Sequence, residues 1–164
     1  MTTRRPSNRA ARGYLLKYFI VKFFLLAMGA GDNLSGADAS KIDKIRERKH
    51  KILVIDDTDK FRKAFCFNLK RKYNAQVDGV NSGEAGIEKL KGGNSYDFVF
   101  TDIMMPGMTG IDVYHELQKL GIEIRIVIMS AYSDSDAWKE AQALNVPLLH
   151  KPIPEDQLIE ILGT

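Results

Sequence analysis

Asp102 closes an apolar run, Phe98 to Phe100, and opens onto Met-Met-Pro-Gly-Met-Thr-Gly, so one carboxylate stands where a short buried strand meets a turn. A lone aspartate there is most often a turn former or a helix cap. A second acidic cluster, Lys51-Ile-Leu-Val-Ile-Asp56-Asp57, repeats the plan of apolar strand followed by carboxylate. Two such strands side by side in a parallel sheet bring their C-terminal ends together. Asp56, Asp57 and Asp102 then share the crevice in which open α/β sheets bind ligands. Carboxylates that close repel one another and take up protons unless a cation compensates them, and oxygen-only ligation with vacant positions suits Mg²⁺ together with a phosphate.

Two more strand ends extend the set. Ile124 to Met129 runs into Ser130, which supplies a hydroxyl, and Val146 to His150 runs into Lys151, which supplies an ammonium. A compact lysine charge and a hydroxyl donor at the rim of a metal site are suited to holding a phosphoryl group. Taken singly, Ser130 is more often a turn residue, Lys151 a solvated charge and the Asp56-Asp57 pair a helix cap.

Positioning these groups requires a regular alternation of strand and helix from Lys51 onward. Strands are expected over 51–55, 75–80, 97–101, 124–129 and 146–150. Helices are expected over about 59–72, 84–92, 110–120, 134–144 and 155–162. Phe61, Phe65 and Leu69 fall on one helical face, Ser82 is a helix cap, and Ile111, Tyr114 and Leu117 face inward. Five βα units imply an α/β fold, a doubly wound parallel sheet with right-handed crossovers.

The ordered pattern of Asp56-Asp57, Asp102 with its Met-Met-Pro-Gly-Met-Thr-Gly, Ser130-Ala131 and Lys151-Pro152 resembles a response-regulator receiver domain of two-component signalling, of the stand-alone type without an output domain. The match covers about 114 residues, 51–164. The resemblance implies a flavodoxin-like (βα)5 sheet of strand order 2-1-3-4-5. Asp102 is then the phosphoacceptor, taking a phosphoryl group from a phosphohistidine on a sensor histidine kinase or phosphotransfer protein. Asp57 binds Mg²⁺ directly, Asp56 through water, and the backbone carbonyl of Met104 completes the protein ligands. Ser130 and Lys151 bind the new phosphoryl oxygens, and the Lys151-Pro152 peptide is cis. The output is an altered surface for a downstream partner or relay, with no nucleic acid expected and no catalysis beyond autophosphatase activity.

Leu148 stands three before Lys151, where the family commonly has Tyr or Phe, and Tyr132 is a candidate for that missing switch aromatic. Tyr132 and Met104 occupy positions that border the path of the hydrolytic water in this family. Their bulk predicts slow loss of phosphate. One rival is a phosphohydrolase of the haloacid-dehalogenase type, which also uses Mg²⁺ and an aspartyl phosphate. It is disfavoured by Phe61 after Asp57-Thr58-Asp59, by the absence of a later acidic pair and by the lack of a cap domain. The other rival is a binding adaptor that keeps the fold and no longer signals by phosphate.

The chain has 164 residues, 45% apolar and 27% charged, which are globular values. Its net charge of +3 hides a division. Residues 1–50 carry 11 Lys and Arg against 4 Asp and Glu, a balance of +7, whereas residues 51–164 carry 13 against 17, a balance of −4. The basic character belongs to the extension and gives no reason to expect nucleic acid at the receiver. Cys66 is the one cysteine, which excludes an internal disulfide, and its place among Phe61, Phe65, Phe67 and Leu69 predicts a buried thiol in a helix.

Residues 1–50 read as a basic and apolar extension with a linker. Tyr14 to Met28 is apolar apart from Lys17 and Lys22, with a basic flank before it, a plan that resembles a secretory signal peptide. Export conflicts with a cytoplasmic phosphodonor. The two lysines leave about nine uninterrupted apolar or small residues against the roughly 20 of a spanning helix, so an interfacial helix at a membrane surface fits better. The competing accounts are a contact with the receiver or a partner, and a true start at Met28. Gly29 to Ser40 reads as a linker and Lys41 to His50 as a charged lead-in whose basic run is solvated. Gly29 to Gly31 lacks both the preceding strand and the following Lys-Ser/Thr of a phosphate loop.

Overall fold

A computed structural model of the chain describes residues 36–164. The expected helix over 14–28, with its membrane or partner contact, and most of the linker lie outside the described residues. Among the described residues the elements are α1 (Gly36–Arg48), β1 (Lys51–Ile55), α2 (Asp59–Tyr73), β2 (Gln76–Val80), α3 (Gly83–Lys91), β3 (Phe98–Asp102), α4 (Gly110–Lys119), β4 (Arg125–Ser130), α5 (Asp136–Gln142), β5 (Leu148–His150) and α6 (Glu155–Gly163). No helix among them is long and apolar enough to cross a membrane.

The five strands are parallel in the order β2-β1-β3-β4-β5. β1, β3 and most of β4 are buried on both faces, as their unbroken apolar runs require in a sheet covered by helices on each side. On one side Phe61, Phe65 and Leu69 of α2 are buried, with Phe65 meeting Phe100 edge to face at 5.5 Å. On the other, Leu53, Ile55, Ile87, Leu90, Val99, Val113 and Leu117 form one cluster. A second cluster of Ile103, Ile111, Ile128 and Ala141 is flanked by Trp138 and Leu148.

Local signals set the helix starts. Ser82 Oγ accepts from Ala85 N, Ser135 Oγ accepts from Trp138 N, and Thr109 forms a capping box with Asp112. The last βα unit is shorter than its apolar pattern suggests. β5 begins at Leu148 rather than 146, and α5 covers 136–142 rather than 134–144, because Ser135 caps it and Asn145 takes a left-handed turn with φ 54°.

The main departure is α1. The stretch from Lys41, expected as a solvated lead-in, is helical through Arg48 and continuous with five residues assigned to the linker. Ile42 and Ile45, three apart, make a narrow apolar edge that charge counting conceals. They are buried as α1 packs against α6 and α2. Asn74 Nδ2 donates to Arg46 O at the base of α2, and the buried His50 Nε2 donates to Leu162 O at the end of α6 (3.3 and 3.0 Å). Cys66 is half-buried rather than fully enclosed, and burial pushes its thiol up.

Candidate functional site

Each candidate side chain sits at or just past the C-terminal end of a strand. Asp102 is the last residue of β3, Ser130 the last of β4, and Asp56 and Lys151 follow β1 and β5 directly. Because β1, β3, β4 and β5 are consecutive neighbours, the four ends form a row. Gly110 lets α4 close against this row. A Cβ there would lie 2.4 Å from the Asp102 carbonyl oxygen, so any side chain would displace the backbone that carries the aspartate.

One oxygen each from Asp56, Asp57 and Asp102 can be chosen so that all lie within 4.8 Å of one another. Octahedral Mg²⁺ at about 2.1 Å needs oxygens about 3 to 4.2 Å apart, so this all-carboxylate donor set fits a small hard cation after slight contraction. Asp56 Oδ1 also accepts the Thr58 N–H at 2.8 Å, and Arg62 Nη1 donates to the Asp56 carbonyl at 2.6 Å. These bonds hold the acidic loop in place at the start of α2.

Lys151 joins the row into one unit. Its Nζ donates to Asp56 Oδ2 and Asp102 Oδ1 at 2.5 and 2.8 Å, and the three side chains are 6% exposed or less. Burial alone would push this lysine down, but the Asp102 and Asp56 carboxylates outweigh it and hold its pKa above the ordinary lysine value. The Phe61 ring lies under the ammonium, 4.2 Å from Nζ to centroid. The Lys151 N–H donates to Ser130 O at 2.7 Å, and the Lys151–Pro152 peptide is cis, as expected.

Ser130 is at its expected place, but its hydroxyl is engaged with its own loop. Ser130 Oγ accepts from Tyr132 N at 3.0 Å and donates to Tyr132 O at 3.2 Å. Ser135 Oγ donates to the same carbonyl at 3.3 Å and accepts from Trp138 N at 3.1 Å. A short relay thus runs from the site hydroxyl to the cap of α5, where the Trp138 ring meets His150 edge-on at 6.3 Å. Met104 is 47% exposed at the mouth of the site, and Tyr132 is half-buried.

Sequence reasoning missed three contributors. Phe61 was legible as a core residue, but its position under Lys151, 90 positions away in sequence, has no local signature. Thr58 and Arg62 carried no signal beyond proximity to the acidic pair.

A profile of the response regulator receiver domain matches residues 52–163, which leaves α1 outside the match. The chain belongs to this family. It is 30% identical over 115 residues to chemotaxis protein CheY of Bacillus subtilis, covering 70% of this chain and 95% of that protein. It is 37% identical over 91 residues to 3',5'-cyclic-nucleotide phosphodiesterase regA of Dictyostelium discoideum, covering 54% of this chain and only 11% of that protein. Among solved structures, response regulator protein TrrA from Thermotoga maritima in complex with Mg(2+)-BeF is 30% identical with a TM-score of 0.60, covering 69% of this chain and 96% of that one. Receiver domains are signalling domains rather than enzymes, and the sheet order expected from the resemblance is the one observed.

Proposed function

We propose that this receiver is a phosphorylation-operated switch that takes a phosphoryl group onto Asp102 from a phosphohistidine of a sensor kinase or phosphotransfer protein. The observation that carries the reading is the buried Lys151 ammonium shared by Asp56 and Asp102, beside a third carboxylate. This arrangement pairs the Asp102 carboxylate with a cation in a site that is nearly closed to water. It is therefore a competent nucleophile without a general base.

An Asp102 carboxylate oxygen attacks phosphorus as the P–N bond breaks. The imidazole nitrogen keeps the electron pair and takes up a proton. Asp57, Asp56 through water, Asp102 and the Met104 carbonyl would hold Mg²⁺, which supplies charge neutralisation on the phosphoryl oxygens. Once Asp102 is an acyl phosphate its carboxylate charge is gone, so Lys151 turns the donor it gave Asp102 to a phosphoryl oxygen. Ser130 gains the same oxygens by giving up Tyr132, and this frees the loop between β4 and α5 to move. The altered surface is the output.

Residues 51–164 form the receiver in this reading and residues 1–50 an appendage, of which α1 is folded onto it. The phosphodonor places the protein in the cytoplasm, and the apolar segment 14–28 supports a peripheral contact with a membrane surface. Bulk at Met104 and Tyr132 crowds the line of attack on the acyl phosphate, so phosphate is lost slowly.

Intact mass after incubation with Mg²⁺ and acetyl phosphate tests the reading. One phosphoryl group should be gained, only with Mg²⁺, and not by Asp102→Asn, with a lifetime of many minutes rather than seconds once donor is removed. No gain from acetyl phosphate or from a panel of histidine kinases would leave a phosphate-independent adaptor as the better account.

A further inference from the structure

The loop from Ile103 to Thr109 joins the phosphoacceptor to α4 and carries the Met104 carbonyl. Its two ends are pinned by backbone bonds, Ile103 N to Met129 O at 2.8 Å and Gly110 N to Ile103 O at 3.1 Å. Met105 anchors the near side in the core. The far side, Pro106 to Met108, is surface chain, with Gly107 in the left-handed region at φ 75°. It is held from a different element. Glu84, in the first turn of α3, accepts the Met108 N–H through Oε1 at 2.9 Å.

The fit around this bond is close. A Cβ on Gly107 would lie 2.7 Å from Glu84 Oε1, and a Cβ on Gly83 would lie 2.7 to 2.9 Å from Met108 atoms. Glycine at both positions therefore lets α3 approach the loop closely enough for the bond to form. Behind it, a Cβ on Gly86 would lie 2.3 Å from Ile55 Cδ1, so α3 is seated directly on the strand that precedes Asp56. The Glu84 carboxyl is held below the usual range by its own backbone N–H and that of Met108, so the acceptor is ionised at neutral pH.

We infer that Glu84 is a positioning residue, which holds the Pro106–Met108 turn so that the Met104 carbonyl and Asp102 present a preformed set of oxygens to the divalent cation. The inference rests on the phosphoacceptor reading above and assigns to α3, an element that contributes no group to the site, the task of shaping one wall of it. Side chains that orient metal ligands without touching the metal commonly change its affinity by a factor of ten or more when removed. The anchoring of Met105 reduces the effect expected here to about 3- to 10-fold.

Two probes are used, Mg²⁺ alone by titration calorimetry and Mg²⁺ with acetyl phosphate by intact mass, on the full chain and on Glu84→Ala and Glu84→Gln. Glu84→Ala should need about 3- to 10-fold more Mg²⁺ for half-saturation in both assays, with the phosphorylation rate at saturating Mg²⁺ within about twofold of wild type. Glu84→Gln retains a side-chain oxygen that accepts the Met108 N–H and should stay within about twofold of wild type. The side chain is exposed, and thermal midpoints of all three proteins check that folding is unaffected. Wild-type half-saturation in Glu84→Ala, or a defect in Glu84→Gln equal to that of Ala, overturns the inference and leaves the phosphoacceptor reading standing. Wild-type protein that neither binds Mg²⁺ nor gains phosphate overturns both.

Discussion

Lys151 illustrates how a single buried charge is made tolerable. With two carboxylates and an aromatic face around it, the ammonium has replaced its water by groups of suitable sign and shape. Removing it leaves Asp56 and Asp102 buried and facing each other. Lys151→Met should therefore cost about 3 to 5 kcal/mol in Mg²⁺-free buffer, read from urea midpoints, and added Mg²⁺ should restore part of the loss by supplying another cation. The pH dependence has a definite sign. The folded pKa is raised, so the stabilisation is fully present below the unfolded lysine value and is lost only as pH climbs through the higher folded value. The gap between wild type and Lys151→Met should stay constant from about pH 6 to 9 and narrow only above about pH 10.4. A gap that closed between pH 7 and 9 would show that the carboxylates do not dominate the lysine.

Among the elements, α1 makes the sharpest prediction. It is a polar helix with two buried side chains, and Ile45, 1% exposed, has no route to solvent. Ile45→Ala should lower stability by about 2 to 4 kcal/mol by urea denaturation, a cost out of scale with a loose tether. A loss below about 0.5 kcal/mol would mean that α1 is detached in solution. The same helix shows where sequence reasoning stops. The βα units were legible because their strands are unbroken apolar runs and α2 repeats Phe61, Phe65 and Leu69 on one face. The strand ends carrying Asp56, Asp102, Ser130 and Lys151 were legible from the apolar runs, and their adjacency in a row followed from the strand order that the receiver resemblance implied. In α1 the apolar signal is two isoleucines in 13 residues, and only α6 and α2, far along the chain, give them something to cover. The grip of Glu84 on Met108, 24 residues further on, is likewise a tertiary fact, whereas the bonding of Ser130 to Tyr132 is local to one loop, a turn that the residue types permit and do not by themselves specify.

Taken as one body, the receiver concentrates its positive charge. Residues 51–164 balance to −4, yet α2 alone has six Lys and Arg against one acidic residue, and it starts at the acidic loop of the site. At the end of β4 the hydrogen-bond relay from Ser130 through Tyr132 and Ser135 ends at Trp138. The chain has one tryptophan. Its emission spectrum is therefore that of a single half-buried indole, placed by the fold beside His150 at the far end of the relay. Adding Mg²⁺ and beryllofluoride should shift that emission in wild type, leave it unchanged in Asp102→Asn, and shift it less in Ser135→Ala. An unchanged spectrum with beryllofluoride, and again in protein shown by mass to be phosphorylated by acetyl phosphate, would place the switch elsewhere. If the shift is seen, the protein can be followed optically without a label, in real time, so that any candidate kinase can be scored in a cuvette by the light it changes.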